Sequence, residues 1–205
     1  MPAASDSDGK TAEAAPTLIL GDTAMLHRLT RGRTLTSAEW NAICEEGRHG
    51  LAVRHAMNLV ARKPRSESEI RRALLAHDAA FEPSEVDAAM ARLRDLGAVD
   101  DSRWAVSYVA QPRANGRGAR LLRRELSQRG VQSADVSSAL DGRDEAAAAL
   151  AAALKRTRTL RGLDREAARR RLYDFLRRRG FDDSVARRAV ETALAELFAE
   201  ASAEA

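Results

Sequence analysis

The stretch RLLRRELSQRGVQSADVSSAL (residues 120–140) decides the fold, because its pattern occurs three times in the chain. The other two copies are EIRRALLAHDAAFEPSEVDAAM (69–90) and RRLYDFLRRRGFDDSVARRAV (170–190). Each copy has two apolar residues four positions apart, then a turn, one large apolar residue and a second amphipathic helix. The apolar pairs recur after 52 and then 50 positions, at Ile70/Leu74, Leu122/Leu126 and Leu172/Leu176. A further helix is predicted before each copy, so the repeating unit contains three helices.

Capping signals place several of the helix ends. The sequence TSAE at 36–39 and the pair Ser66 and Glu69 have the spacing of capping boxes, in which two orphan backbone amides are satisfied. Pro64 ends the helix between them, because the residue before a proline is pushed out of the helical conformation. Aspartates 144 and 164 are predicted to start the first two helices of the last repeat.

A unit of about fifty residues buries too little apolar surface to fold comfortably alone, so neighbouring units are expected to stack. The predicted fold is all-α, with tandem three-helix repeats in three modules that form an elongated, curved array. The predicted boundaries are an N-terminal extension over 1–35 and modules over 36–97, 98–143 and 144–205. Residues 1–16 of the extension have the composition of a disordered tail.

Composition excludes several classes of protein. Cys44 is the only cysteine, so neither an internal disulfide nor a cysteine-based metal site is expected. The first residues contain aspartates and lack an apolar run, which is not typical of a signal peptide. No stretch approaches the roughly 18 uninterrupted apolar residues of a membrane span. The expected location is the cytoplasm, without membrane association.

The positive charge of the chain is concentrated in particular segments. The formal net charge is +4, yet residues 155–180 carry eleven Lys or Arg against three Asp or Glu. Residues 112–130 carry six arginines against Glu125 alone. A GC-rich genome is an alternative cause of the preference for arginine over lysine, but it does not explain this clustering. Local clustering is typical of a binding face.

Sequence signatures of enzymes are missing. There is no phosphate-binding loop, and Gly116 and Gly118 supply only the first two glycines of a dinucleotide fingerprint. The four histidines form no HExxH motif, and the glutamates beside Cys44 disfavour its thiolate. No catalytic residue, cofactor or metal site is therefore predicted.

The arginines that flank the leucine seams remain as candidate binding residues. Like charges crowded on one helix repel each other, and an anionic partner relieves that repulsion, since guanidinium groups suit both phosphates and carboxylates. A solvated helix face is the alternative for any single arginine run. The occurrence of two such faces at equivalent repeat positions favours a binding role.

Four stretches resemble the RecX family of RecA regulators. ARKPRSESEIRRALL (61–75) is similar to the opening motif of that family, and LRDLGAVDDSRWAVSYV (93–109) resembles its LG-apolar-apolar-DD signature. GRGARLLRRELSQRGV (116–131) and RRRLYDFLRRRGFDDSVARRAV (169–190) resemble its later helices. Pro112 departs from the pattern, because it stands where the first helix of the second module usually continues.

The resemblance implies a monomeric, non-enzymatic regulatory protein that acts in DNA repair, recombination and the SOS response. Its expected partner is the RecA filament, which it binds along the groove to inhibit recombinase and co-protease activities, with single- or double-stranded DNA as a further partner. The alternative is a sequence-independent nucleic-acid-binding helical protein that has no recombinase partner. The candidate partner-binding or DNA-binding residues are Arg117, Arg120, Arg123, Arg124, Arg165, Arg169, Arg170, Arg171, Arg177 and Arg178.

Overall fold

The computed structural model describes residues 4–5, 11–12 and 19–203, and it confirms the all-α fold built from three-helix repeats. The described residues contain a short N-terminal helix and nine further helices. These are α1 (Gly21–Leu26), α2 (Ser37–Arg62), α3 (Glu67–Leu75), α4 (Pro83–Asp95), α5 (Asp101–Val109), α6 (Ala119–Gln128), α7 (Ser133–Leu140), α8 (Glu145–Thr157), α9 (Arg165–Arg178) and α10 (Asp183–Ala203). The chain divides into two compact units, Met1–Asp100 and Asp101–Ala205.

The first unit begins with a small sheet of two-residue strands, β1 (Ala4–Ser5), β2 (Thr11–Ala12) and β3 (Leu35–Thr36). Strand β1 pairs antiparallel with β2 and parallel with β3. The predicted disordered tail over 1–16 otherwise falls outside the described residues. Leu35 joins Trp40 and Ile43 in a small apolar cluster at the start of α2, so strand β3 is tied to the first long helix.

Helices α2, α3 and α4 form the first module around a core that includes Ile70, Leu74 and Met90, all fully buried. Both predicted capping boxes are confirmed: Thr36 and Glu39 cap α2, and Ser66 and Glu69 cap α3. An ion pair between the partly exposed Arg48 and the buried Glu85 also connects the helices. The Arg48 guanidinium on α2 binds the Glu85 carboxylate on α4, with Nη2 2.8 Å from Oε2, and this hydrogen bond lowers the pKa of Glu85.

Two histidine rings pack against each other, tilted by 53°, between α2 and the turn after α3. The ring centroids of His55 and His77 are 4.1 Å apart, and Phe81 contacts both rings. The His77 Nδ1 accepts a hydrogen bond from the backbone amide of Ala79 at 3.0 Å. Burial, and then the nearby His77 and Arg54, lower the pKa of His55.

Acid is therefore expected to destabilise the first unit. Because the folded-state pKa of His55 is depressed, the unfolded chain binds its proton more tightly, and stability falls as pH drops below about 6.5. Urea unfolding at pH 7 and pH 5 measures this loss. The His55→Gln variant should show a smaller loss over the same range. An equal loss in the variant would mean that His55 is not the group responsible. The range stops at pH 5 to limit protonation of Glu85, whose pKa the Arg48 hydrogen bond lowers in the folded chain.

The second unit contains two modules that share the repeat geometry. Module two (α5–α7) buries Leu122 and Leu126, and module three (α8–α10) buries Leu172 and Leu176. The turn after the second helix of each module is made by a glycine with positive φ, Gly130 at 82° and Gly180 at 84°. As Pro112 indicates, α5 ends at Val109, and a short 3-10 turn over Pro112–Ala114 follows.

Backbone hydrogen bonds join modules two and three. The Gly118 amide donates to the Arg179 carbonyl at 2.8 Å, and the Arg120 amide donates to the Gly180 carbonyl at 3.2 Å. A methyl group added to Gly118 would lie less than 3.0 Å from the backbone of Gly180. This contact, called here the glycine joint (residues 118–120 against 179–181), therefore requires the absence of a side chain.

A charged bridge supports the glycine joint. The Arg143 Nη2 donates to the carbonyls of Ala114 and Arg117, at 3.0 and 2.9 Å. Its Nε lies 2.9 Å from Glu145 Oε1, and the other oxygen of Glu145 accepts from the Ala119 amide at 2.9 Å. The Glu145 side chain of α8 thus accepts a hydrogen bond from the first backbone amide of α6, which links modules two and three.

Candidate partner-binding surface

Helix α6 packs apolar side chains inward and turns its three arginines outward. Leu122 and Leu126 are fully buried, whereas Arg120, Arg123 and Arg124 are exposed. This division follows from the 3.6-residue period, which places positions 122 and 126 on one face. The polar face of α6 is therefore a basic surface of the second unit.

Arg117 does not share that exposed position. It precedes α6, it is half-buried, and its Nη1 lies 2.6 Å from Glu125 Oε2. The Tyr108 hydroxyl donates to the same oxygen at 2.9 Å. Arg117 thus satisfies a carboxylate within its own module, so its guanidinium has fewer free donors for a partner.

The exposed arginines of α6 differ in their counter-ions. Arg120 forms an ion pair with Asp182, on the far side of the glycine joint. Arg123 and Arg124 have no ion-pair partner among the residues that the structure describes. These two side chains keep their full charge available to solvent or to a partner.

Helix α9 holds three of its predicted site residues in contacts of its own module. Arg165 lies over the Phe198 ring, 6.0 Å from its centroid. Arg169 Nε is 2.9 Å from Glu191, and Arg177 Nη1 is 3.3 Å from Asp183. Those carboxylates belong to α10, so these arginines stabilise the packing of α9 on α10.

The other three arginines of α9 are exposed. Arg170, Arg171 and Arg178 have no ion-pair partner within the described part of the chain. The buried side of α9 carries Ala168, Leu172 and Leu176, and helical geometry places the three arginines away from that side. We call Arg170, Arg171 and Arg178 the open arginine face.

Asp183 shows how fully the paired arginines are engaged. Its carboxylate accepts a hydrogen bond from the Tyr173 hydroxyl and lies 2.7 Å from Arg187. The Tyr173 hydrogen bond, followed by the charges of Arg187 and Arg177, lowers the pKa of Asp183. Arg177 is thus one member of a network and not a free charge.

Four positively charged residues that were not among the predicted binding residues line a groove. Arg113, Lys155, Arg156 and Arg179 line, together with Phe175, a groove of about 650 Å³ inside the second unit. Three of these cations belong to the basic segment 155–180. The charge count of that segment therefore indicated a basic region, but it did not indicate a groove. We call this feature the basic groove.

Among residues 19–199, no cluster of three or more His, Cys, Asp or Glu side chains is arranged to hold a metal ion. Across the described helices, none combines the length and apolar character that crossing a membrane requires.

Comparisons with known proteins agree with this three-module organisation. Models of the first, second and third three-helix domains of RecX match residues 52–93, 100–140 and 143–190. Regulatory protein RecX of Streptomyces coelicolor is 34% identical over 145 residues, which cover 68% of this chain and 76% of that protein. Regulatory protein RecX of Chlorobaculum tepidum is 31% identical over 153 residues, which cover 74% of this chain and 94% of that protein.

Solved structures show the same fold. A crystal structure of regulatory protein RecX matches 87% of both chains with a TM-score of 0.69 and 25% identity. The structure of RecX from Lactobacillus salivarius matches 71% of this chain and 96% of that chain, with a TM-score of 0.63 and 16% identity.

The tandem modules and the three domain matches define a helical-repeat regulatory protein. The order of the three domains and the identity to relatives over most of their length then identify the family. The chain belongs to the RecX family.

Proposed function

We propose that this chain regulates a RecA recombinase by binding in the helical groove of the filament that RecA forms on DNA. In that position it restrains strand exchange and co-protease activity, without chemistry of its own. The observation that carries the proposal is the match to all three RecX domains in their order along the chain. Binding along a polymer also suits a protein built from repeated modules.

We assign the contact with the filament to the exposed arginines that lack an internal counter-ion. These are Arg123 and Arg124 on α6 together with the open arginine face of α9. Guanidinium groups suit this task because they remain charged and form bidentate hydrogen bonds with carboxylates and phosphates. Arg117, Arg165, Arg169 and Arg177 contribute less, because each is already engaged within its own unit.

A co-sedimentation experiment tests the proposal. Purified chain is mixed with RecA in the presence and absence of single-stranded DNA and nucleotide. Retention that requires the assembled filament supports the proposal. Retention on bare DNA alone, abolished by moderate salt, contradicts it and favours the sequence-independent nucleic-acid binder.

Adjacent arginines on α9 provide a matched comparison. We expect the double variant Arg170→Ala, Arg171→Ala to raise the concentration needed for half-inhibition of RecA about tenfold, which corresponds to roughly 1.4 kcal/mol. We expect Arg169→Ala to change it less than about twofold, because Glu191 already holds that guanidinium. The readout is RecA-catalysed strand exchange as a function of added chain.

Circular dichroism at 222 nm serves as the control for folding in both variants. An unchanged inhibition curve for the double variant would remove the open arginine face from the binding surface. If Arg169→Ala weakened inhibition as much as the double variant, the ion pair with α10 would not determine which arginines contact the filament.

A further inference from the structure

The charges that line the basic groove favour an anionic ligand. Its lining comes from the turn after α5, from the end of α8 and from the end of α9, all within the second unit. Arg113, Lys155, Arg156 and Arg179 contribute positive charge, and the lining contains no Asp or Glu. Cations that converge without a counter-ion repel each other, and a bound anion relieves this repulsion.

The guanidinium groups of the groove are positioned by contacts that leave their charge uncompensated. Arg179 lies over the Phe175 ring, 5.1 Å from its centroid, and donates to the Gly116 carbonyl at 3.3 Å. Arg156 lies over the same ring at 5.6 Å. Arg113 lies over the Tyr108 ring at 4.8 Å. Aromatic rings and a carbonyl orient these groups while neutralising none of them, so the site is preorganised for an anion.

The shape and the lining distinguish between classes of anion. Proteins that bind single-stranded nucleic acid stack bases on free aromatic faces. Here the Phe175 ring already carries two guanidinium groups, and Trp104 and Tyr108 stack on each other with centroids 5.3 Å apart. The apolar part of the lining consists of small side chains, Ala151, Ala152 and Pro112. Such a floor accommodates an aliphatic side chain better than a base.

We propose that the basic groove binds an acidic peptide segment of a partner protein. Carboxylates of the segment pair with Lys155, Arg156 and Arg179, and an apolar side chain between them packs against Ala151 and Ala152. The volume of about 650 Å³ lies in the range of pockets that hold compact ligands. This proposal does not depend on the recombinase, because it rests on the groove alone.

Fluorescence anisotropy with the full chain tests the groove. The probe is a fluorescein-labelled peptide of Glu-Asp-Leu triplets, and its neutral counterpart consists of Gln-Asn-Leu triplets. We expect the acidic peptide to bind at least about tenfold more tightly than the neutral one. Labelled oligothymidylate is measured in parallel as the phosphate-bearing alternative.

A pair of charge reversals on one helix end locates the binding. Lys155→Glu places a carboxylate in the groove and should weaken binding of the acidic peptide about tenfold. Arg158→Glu makes the same charge change three positions along, at a residue that does not line the groove, and should weaken it less than about twofold. Lys155 and Arg158 are both exposed, so both variants are expected to fold.

Three outcomes would overturn the proposal. The two peptides bind equally, or both charge reversals weaken binding to the same extent, or Lys155→Glu affects oligothymidylate and not the acidic peptide. Because the assay contains no RecA, none of these results bears on filament binding, which the co-sedimentation experiment decides separately.

Discussion

Gly118→Ala is expected to destabilise the second unit by about 1–3 kcal/mol, the usual cost of forcing an extra methyl group into a packed site. The added Cβ would lie less than 3.0 Å from the carbonyl of Gly180 and from the Phe181 amide. Backbone atoms cannot rotate away as a flexible side chain does. The two modules must therefore separate at the glycine joint, which lengthens the hydrogen bonds from the Gly118 and Arg120 amides.

Conformational strain does not contribute to this expected loss. Gly118 has a φ of −81°, which alanine adopts without cost, so the effect isolates the close approach of two backbones. Gly116→Ala is the matched control, because its Cβ would meet only the movable end of Arg179, at 3.4 Å. Chemical denaturation gives the loss of stability. Amide hydrogen exchange at Arg120 reports opening of the joint, and protection equal to that of the unchanged chain would contradict the prediction.

Local signals were sufficient to predict the helices and the modules. The capping boxes at Thr36 and Ser66 and the aspartate caps at positions 144 and 164 stand where the sequence places them. These features depend on residues three positions apart, so the chain carries them without tertiary information. Gly47 and Gly50 lie inside α2, which runs unbroken over Ser37–Arg62 although glycine is a poor helix former. A methyl group on Gly50 would lie 3.0 Å from Leu20 Cδ1, so this glycine provides room for packing.

Counter-ions determine which arginines are available to bind a partner. The sequence predicts the pairing of arginines with carboxylates poorly. Glu125 lies on α6 itself, yet it binds Arg117 from the preceding loop and not an arginine of its own helix. Asp182 reaches Arg120 only because the glycine joint brings modules two and three together. A count of charges cannot separate Arg117 and Arg120, which have counter-ions, from Arg123 and Arg171, which have none among the described residues. Distinguishing them requires the positions of carboxylates that are distant in the chain.

The basic groove was beyond sequence reasoning for the same reason. Its cations come from the turn at 112–116, from the end of α8 and from the end of α9. Only tertiary packing brings these segments together. The rings of Phe175 and Tyr108 that orient the guanidinium groups resemble ordinary core residues in the sequence.

The repeats also show which part of the pattern the fold requires. The apolar pair of every copy is fully buried, so its spacing is preserved in all three modules. The turn residue is less restricted: Gly130 and Gly180 have positive φ, and in the first module Ala80 takes a left-handed conformation with φ of 48°. A single alanine in this conformation costs roughly 1–2 kcal/mol, which the first module tolerates.

Leu74→Ala is expected to destabilise the first unit by about 2–5 kcal/mol, the range for removing a buried leucine side chain from a core. Leu74 is 0% exposed and belongs to the core of α2, α3 and α4. It is the second apolar residue of the first repeat copy, equivalent to Leu126 and Leu176. The same truncation at Leu126 should therefore produce a loss of similar size in the second unit.

The next residue on the same helix supplies the control. Leu75 is 50% exposed, so Leu75→Ala removes the same atoms without leaving a closed cavity and should cost less than about 1 kcal/mol. Trp40 lies in the first unit and Trp104 in the second, and the chain has two tryptophans in total. In a Trp104→Phe background, urea unfolding followed by Trp40 fluorescence then reports on the first unit. Equal losses for Leu74→Ala and Leu75→Ala would show that the repeat pair does not define the core, because burial is the property that distinguishes these neighbouring leucines.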